Sequence, residues 1–160
     1  MRPMYAPAFA VAMLSIGGTM PAQASAGISC RAEDGSARFG MQAAFTRGLG
    51  GGMINFGAEL NVLLKNAPQD FRALKLERKD VSQVWWYGPD FKLQLYRERA
   101  EGLPFGSVNL VVEAKEGKGN GNGEGTYRGA YRLEISFKGR KEEAEAKTLT
   151  ARGKVECVSE

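Results

Sequence analysis

The chain has 160 residues, the usual size of one domain, with 22 basic and 18 acidic side chains and a formal net charge of +4. It contains no histidine, which excludes catalytic triads and metal sites that depend on imidazole. The positive excess is small and dispersed, unlike the basic stripe of a nucleic-acid-binding protein, so no nucleic-acid partner is expected.

Residues 1–26 are predicted to be a secretory signal peptide. Arg2 is the only charged side chain in this segment, an apolar stretch follows at 8–16, and small residues close the segment. Either Ser25 or Gly27 fits as the first mature residue, because small residues precede both at the −3 and −1 positions. The apolar stretch is too short to cross a bilayer. We therefore expect an exported protein, periplasmic or secreted, with no membrane span after signal removal.

Residues 27–160 are predicted to form one all-β domain, because apolar and polar residues alternate along nine stretches. Residues 34–36 and 88–90 have the composition of tight hairpin turns. One helical turn at 142–147 remains an open alternative, whereas the alternation continues through 59–66 and favours a strand there. In chain order the predicted strands are 28–33, 36–46, 54–64, 72–79, 82–87, 91–97, 107–115, 126–138 and 148–158.

Eight or nine consecutive antiparallel strands can close into an up-and-down barrel, and a closed two-sheet sandwich is the alternative. Cys30 and Cys157 are the only cysteines, and in an exported protein they are predicted to form a disulfide between the first and last strands. Both lie in phase with the apolar residues of their strands, which predicts a bridge on the inner face. The longest runs place these residues inside: Phe39, Met41, Ala43 and Phe45; Ile54, Phe56, Ala58, Leu60, Val62 and Leu64; Tyr127, Tyr131, Leu133, Ile135 and Phe137; Leu149, Ala151, Val155 and Cys157.

The most suggestive functional feature is the aromatic triplet at 85–87. Alternation sends Trp85 and Tyr87 to the face opposite Trp86, so at least one large ring is expected on the surface beside a turn. An exposed indole there is suited to a sugar or a partner protein, although rings that cover a barrel end would give the same pattern. The predicted binding surface combines the triplet with nearby basic residues, which would suit an acidic glycan, a lipid headgroup or an acidic protein: Trp85, Trp86, Tyr87, Arg72, Lys75, Arg78 and Arg97.

No catalytic, metal or cofactor motif is found in the sequence. The glycine-rich stretch at 117–125 precedes a strand and matches no phosphate-binding loop, and its only acid is Glu124. No catalytic residue, cofactor or metal ligand is therefore predicted. The predicted function is a non-enzymatic binding module with a protein, glycan or lipid partner in the cell envelope. Three alternatives stay open: a carrier of a small apolar ligand inside the barrel, a carboxylate-based hydrolase, and a small outer-membrane barrel.

Overall fold

The computed structural model describes residues 25–46, 52–117, 125–139 and 145–159. The predicted signal peptide lies outside these residues except for Ser25 and Ala26, which belong to the first strand. Residues 118–124 of the glycine-rich stretch and residues 142–144 of the alternative helical turn also lie outside the described residues.

The described residues form nine antiparallel strands in a nearly closed barrel, with no α-helix among them, which confirms the predicted all-β architecture. Each strand pairs with its neighbour in the sequence, except at the two positions described below. The sheet order is β4-β3-β2-β1-β9-β8-β7-β6-β5. The strands are β1 (Ser25–Glu33), β2 (Ala37–Thr46), β3 (Met53–Val62), β4 (Ala73–Glu77), β5 (Val81–Tyr87), β6 (Asp90–Glu98), β7 (Gly106–Glu116), β8 (Thr126–Phe137) and β9 (Lys147–Ser159); two short 3-10 turns are η1 (Gln69–Phe71) and η2 (Arg78–Asp80).

The first exception is the join between β1 and β9, the first and last strands, which are hydrogen-bonded neighbours. Cys30 is directly opposite Cys157 in this ladder, with Cα atoms 4.0 Å apart, and the two form a disulfide. Both cysteines are buried on the inner face, as predicted. The bridge therefore links the first and last strands covalently, from inside the barrel and at the middle of the sheet order.

The second exception is the step from β4 to β5. The antiparallel pairings require these two strands to run in the same direction, joined only by η2. They are two halves of one bent strand: β4 pairs with β3, and β5 pairs with β6. Counted this way, the described strands form an eight-stranded up-and-down barrel in which one strand bends and changes partner.

The inward-facing side chains pack into one continuous hydrophobic core. The alternation along β2, β8 and β9 correctly predicted which of their residues face inward. The outward positions of the same strands carry mainly charged and polar side chains. Several large residues at the centre of the core have no measurable exposure: Leu60, Phe91, Leu110, Leu133 and Ile135.

One predicted inward position is wrong. Ile54 is 60% exposed, and its neighbour Met53 is buried instead. The pairing of β2 with β3 shifts by one residue between Ala44 and Phe45, so that Phe45 faces Met53. Such a bulge reverses the side-chain alternation beyond it.

Two glycines allow strands to approach closely in the β8–β9 region. A Cβ at Gly129 would overlap the main-chain carbonyl oxygen of Glu113, and a Cβ at Gly153 would overlap the Tyr131 ring and the Asp34 carboxylate. The Tyr131 hydroxyl donates a 2.7 Å hydrogen bond to Asp34 in the β1–β2 turn. Glycine at 153 therefore leaves the room that this buried tyrosine needs.

Candidate binding surface

Trp85 and Tyr87 lie side by side on the outer side of β5. Their side chains are 59% and 76% exposed, and their ring centroids are 6.1 Å apart with an interplanar angle of 57°. Residues two apart on a strand share a face, so β5 presents both rings in the same direction. We call this pair the aromatic face.

Trp86 has the opposite role and helps to fill the barrel interior. Its indole N–H donates a 3.0 Å hydrogen bond to the Tyr127 hydroxyl, and its ring meets Phe45 edge-on at a centroid distance of 5.2 Å. Phe91 and Tyr127 form two further edge-on contacts with the Trp86 ring, each at a centroid distance of 6.2 Å. Trp86 is thus a structural anchor that fixes β5 and, through it, the orientation of the aromatic face.

Ion-paired side chains on β6 and β7 border the aromatic face. Lys92 is opposite Trp85 in the β5–β6 ladder, and its ammonium group lies 3.4 Å from the Glu113 carboxylate. Asp90 is opposite Tyr87 and pairs with Lys115 at 3.7 Å. Each pair is largely exposed and contributes little to stability. The two rings therefore stand beside a polar, nearly neutral border.

The predicted basic residues do not form one patch with the aromatic rings. Lys75 is on the outer side of β4, opposite Glu59, and Arg78 is exposed in η2. Arg72 donates from Nη2 to the Lys65 carbonyl oxygen at 3.0 Å. Arg97 lies near the C-terminal end of β6, whereas the Gly88–Pro89 turn precedes the start of this strand. The structure thus places the aromatic and basic parts of the predicted surface at different levels along the barrel axis.

Arg97 forms a structural ion pair with Asp80 that the sequence did not predict. Its guanidinium forms two hydrogen bonds to the carboxylate of Asp80, one of them 2.9 Å long from Nε. Asp80 is 5% exposed and also accepts a 2.7 Å bond from the backbone N–H of Glu77. Glu77 and Asp80 cap η2 reciprocally. The spacing of these two acids around Arg78 and Lys79 is the sequence signal that could have identified the cap.

Two aspartates of the barrel have a lowered pKa. Burial opposes the ionisation of Asp80, but hydrogen bonds from Arg97 and the Glu77 backbone, together with the Arg97 charge, hold its pKa below the ordinary value. Burial also opposes the ionisation of Asp34, and the bonds from Tyr131, Ser36 and Ala37 outweigh it. Burial and the bond to Asp34 raise the pKa of Tyr131. Both carboxylates are thus held in the charged form by their partners.

Comparison with protein families, with curated proteins and with solved structures finds no match to this chain.

Two grooves on the described residues lie on the outside of the barrel. One of them, with a volume of about 1020 Å³, runs over β1, β2, β3 and β4 between outward-facing side chains that include Arg31, Gln42 and Glu59. Within the described ranges, no group of three or more histidine, cysteine, aspartate or glutamate side chains is placed to hold a metal ion. In the same part of the chain, no helix is long and apolar enough to cross a membrane.

Proposed function

We propose that this chain is an exported, non-enzymatic binding module that holds a partner in the cell envelope through the aromatic face. The observation that carries the proposal is the exposure of Trp85 and Tyr87 side by side, while the third ring of the triplet anchors the core. Export rests on the predicted signal peptide, and the disulfide is typical of an oxidising compartment.

Two large exposed rings are an effective contact surface. Aromatic side chains bury about 150–250 Å² each, so covering what Trp85 and Tyr87 expose is worth about 5 kcal/mol before the costs of association. Tryptophan and tyrosine are also the residues most often found at the energetic centre of protein interfaces. A surface site is favoured over an interior one because the barrel interior is filled by packed side chains.

The test is capture of a partner by the oxidised protein from its native compartment. The double variant Trp85→Ala/Tyr87→Ala is compared with the wild type, and Leu103→Ala/Phe105→Ala is the control. Leu103 and Phe105 are 58% and 49% exposed in the β6–β7 connection, away from the aromatic face. We expect the first variant to lose capture by about tenfold or more and the control to retain it.

Thermal unfolding of both double variants accompanies the capture experiment. Exposed substitutions usually change stability by about 0.5 kcal/mol or less, so both proteins should unfold close to the wild type. The proposal is wrong if the Trp85/Tyr87 variant still captures the partner. It is also wrong if this variant is strongly destabilised, because the two rings would then belong to the fold.

A further inference from the structure

The bend between β4 and β5 leaves a gap in the barrel wall. β3 pairs with β4 only from Gly57 to Asn61, so Met53–Phe56 have no strand partner on that side among the described residues. β5 pairs with β6 and, within the described ranges, with no other strand. We call the gap between Met53–Phe56 and Val81–Tyr87 the seam.

Along most of its length the seam is too wide for β3 and β5 to pair directly. Paired strands lie about 4.8 Å apart, so inserting one strand needs roughly 9–10 Å between its neighbours. Cα atoms of β3 and β5 lie mostly more than 8 Å apart, whereas all hydrogen-bonded neighbours approach more closely. Because the seam is bounded on both sides, it accepts a single extended segment more readily than the edge of a second barrel.

The edge of β5 that has no strand partner among the described residues lacks the usual protection against pairing. Proteins normally protect an exposed edge with lysine, proline or inward-pointing charges. The seven residues of β5, VSQVWWY, contain no charge, no proline and no glycine. This composition has a high tendency to pair with another strand.

We propose that the seam receives an extended segment of a partner polypeptide, which adds to β5 as an antiparallel strand. This inference rests on the proposed function and names the partner class of the same site. The side chains of the segment that face the barrel would pack over the partly buried Val84 and Trp86 at the border of the filled interior, and its outward side chains would meet the aromatic face and the exposed Ile54. Backbone hydrogen bonds to β5 would supply the affinity for the segment, and the side-chain contacts would determine which segments bind.

Charge complementarity defines one end of the segment. Arg78 is exposed in η2, immediately before β5, and has no acidic partner within the described part of the chain, whereas the neighbouring Lys79 pairs with Glu77 at 3.1 Å. In an antiparallel arrangement the C-terminal end of the segment lies beside the start of β5. The partner segment is therefore apolar at alternate positions and acidic at its C-terminal end.

The experiment begins with selection of linear nine-residue peptides from a displayed random library on the oxidised protein. The selected peptide is then synthesised with and without N-methylation of alternate backbone amides, which removes donors and leaves side chains in place. We expect alternating apolar residues followed by an acid, and a loss of affinity of at least tenfold on N-methylation at the donor positions that face β5. Arg78→Gln should weaken binding about three- to tenfold, and Arg132→Gln, on the outer face of β8, should not.

Hydrogen exchange provides an independent measurement on the same protein. Backbone amides of β5 that point into the seam should exchange at least tenfold faster than those bonded to β6, and should become protected when the peptide binds. The proposal of strand addition is wrong if all β5 amides are equally protected from exchange in the free protein. It is also wrong if no peptide is selected, or if the selected peptides still bind after N-methylation. If binding depends on Trp85 and Tyr87 but tolerates N-methylation, the proposed function stands and strand addition fails.

Discussion

Asp80 stabilises the bend between β4 and β5. Its carboxylate connects η2 to β6 through Arg97 and to the end of β4 through the Glu77 backbone. The Asp80 side chain is 6% exposed and that of Arg97 25%, so removing one partner leaves a poorly solvated charge. The bend therefore depends strongly on a single ion pair.

Asp80→Asn should lower the free energy of unfolding at pH 7 by about 2–3 kcal/mol. Because the pKa of Asp80 is lowered in the folded protein, its contribution is complete above the unfolded pKa of about 3.9. The contribution is lost as the pH falls through the folded value, so the difference between wild type and variant should shrink below about pH 4. Urea unfolding at several pH values measures both effects.

Glu156→Gln is the control for Asp80→Asn. Glu156 pairs with Arg128 at 3.1 Å, and the side chains of both partners are largely exposed, 51% for Glu156 and 76% for Arg128. We expect a loss below about 1 kcal/mol. Equal losses in the two variants, or a difference for Asp80→Asn that does not change with pH, would contradict the role assigned to Asp80.

Gly129→Ala should destabilise the barrel by more than about 2 kcal/mol, because the new methyl group would force β7 and β8 apart at Glu113. Gly40→Ala is the control, since a Cβ there would meet no heavy atom within 4 Å. It should leave stability unchanged or raise it slightly. Thermal unfolding of both variants gives the comparison, and similar midpoints would show that the two strands can separate without cost.

At the scale of elements, hydrophobic alternation predicted the strands well. All nine predicted stretches overlap the nine strands of the described residues, because a sheet with one packed face imposes a period of two. It failed at Ile54, where a bulge shifts the phase. Alternation also gave no sign that β4 and β5 run in the same direction, because strand direction depends on partners that are distant in sequence.

The candidate site was predictable only in part. Alternation correctly separated Trp85 and Tyr87 from Trp86, because it needs only local geometry. The pairing of Arg97 with Asp80 was not predictable, since the two residues meet only once the bend exists. The seam itself is a property of two strands that fail to pair, which no local pattern encodes.

Of the two cleavage sites that the sequence allows, the structure favours the one before Ser25 over the one before Gly27. Ser25 and Ala26 pair with Thr46 and Phe45 at one end of β1, and cleavage before Gly27 would remove both pairs. Intact-mass measurement of the exported protein distinguishes the two cleavage sites. A mature chain that begins at Gly27 would show that these two pairs are dispensable.

At the scale of the whole molecule, the disulfide closes a loop with a sequence separation of 127 residues. The double variant Cys30→Ala/Cys157→Ala should lose about 4–5 kcal/mol of stability if loop entropy alone determines the effect. Comparing urea unfolding of the oxidised wild type with that of the variant tests this value. A loss below about 1 kcal/mol would show that the β1–β9 ladder holds the join without the sulfur bridge.

The position of this bridge has a mechanical consequence. Cys30 and Cys157 lie close to the two ends of the described chain, opposite each other on adjoining strands. Tension applied at Ser25 and Ser159 would pass through the covalent sulfur link, and the polypeptide enclosed between the cysteines would carry almost none of it. Stretching should peel away only the short terminal segments while the barrel stays intact, and addition of a reductant should allow the whole chain to extend.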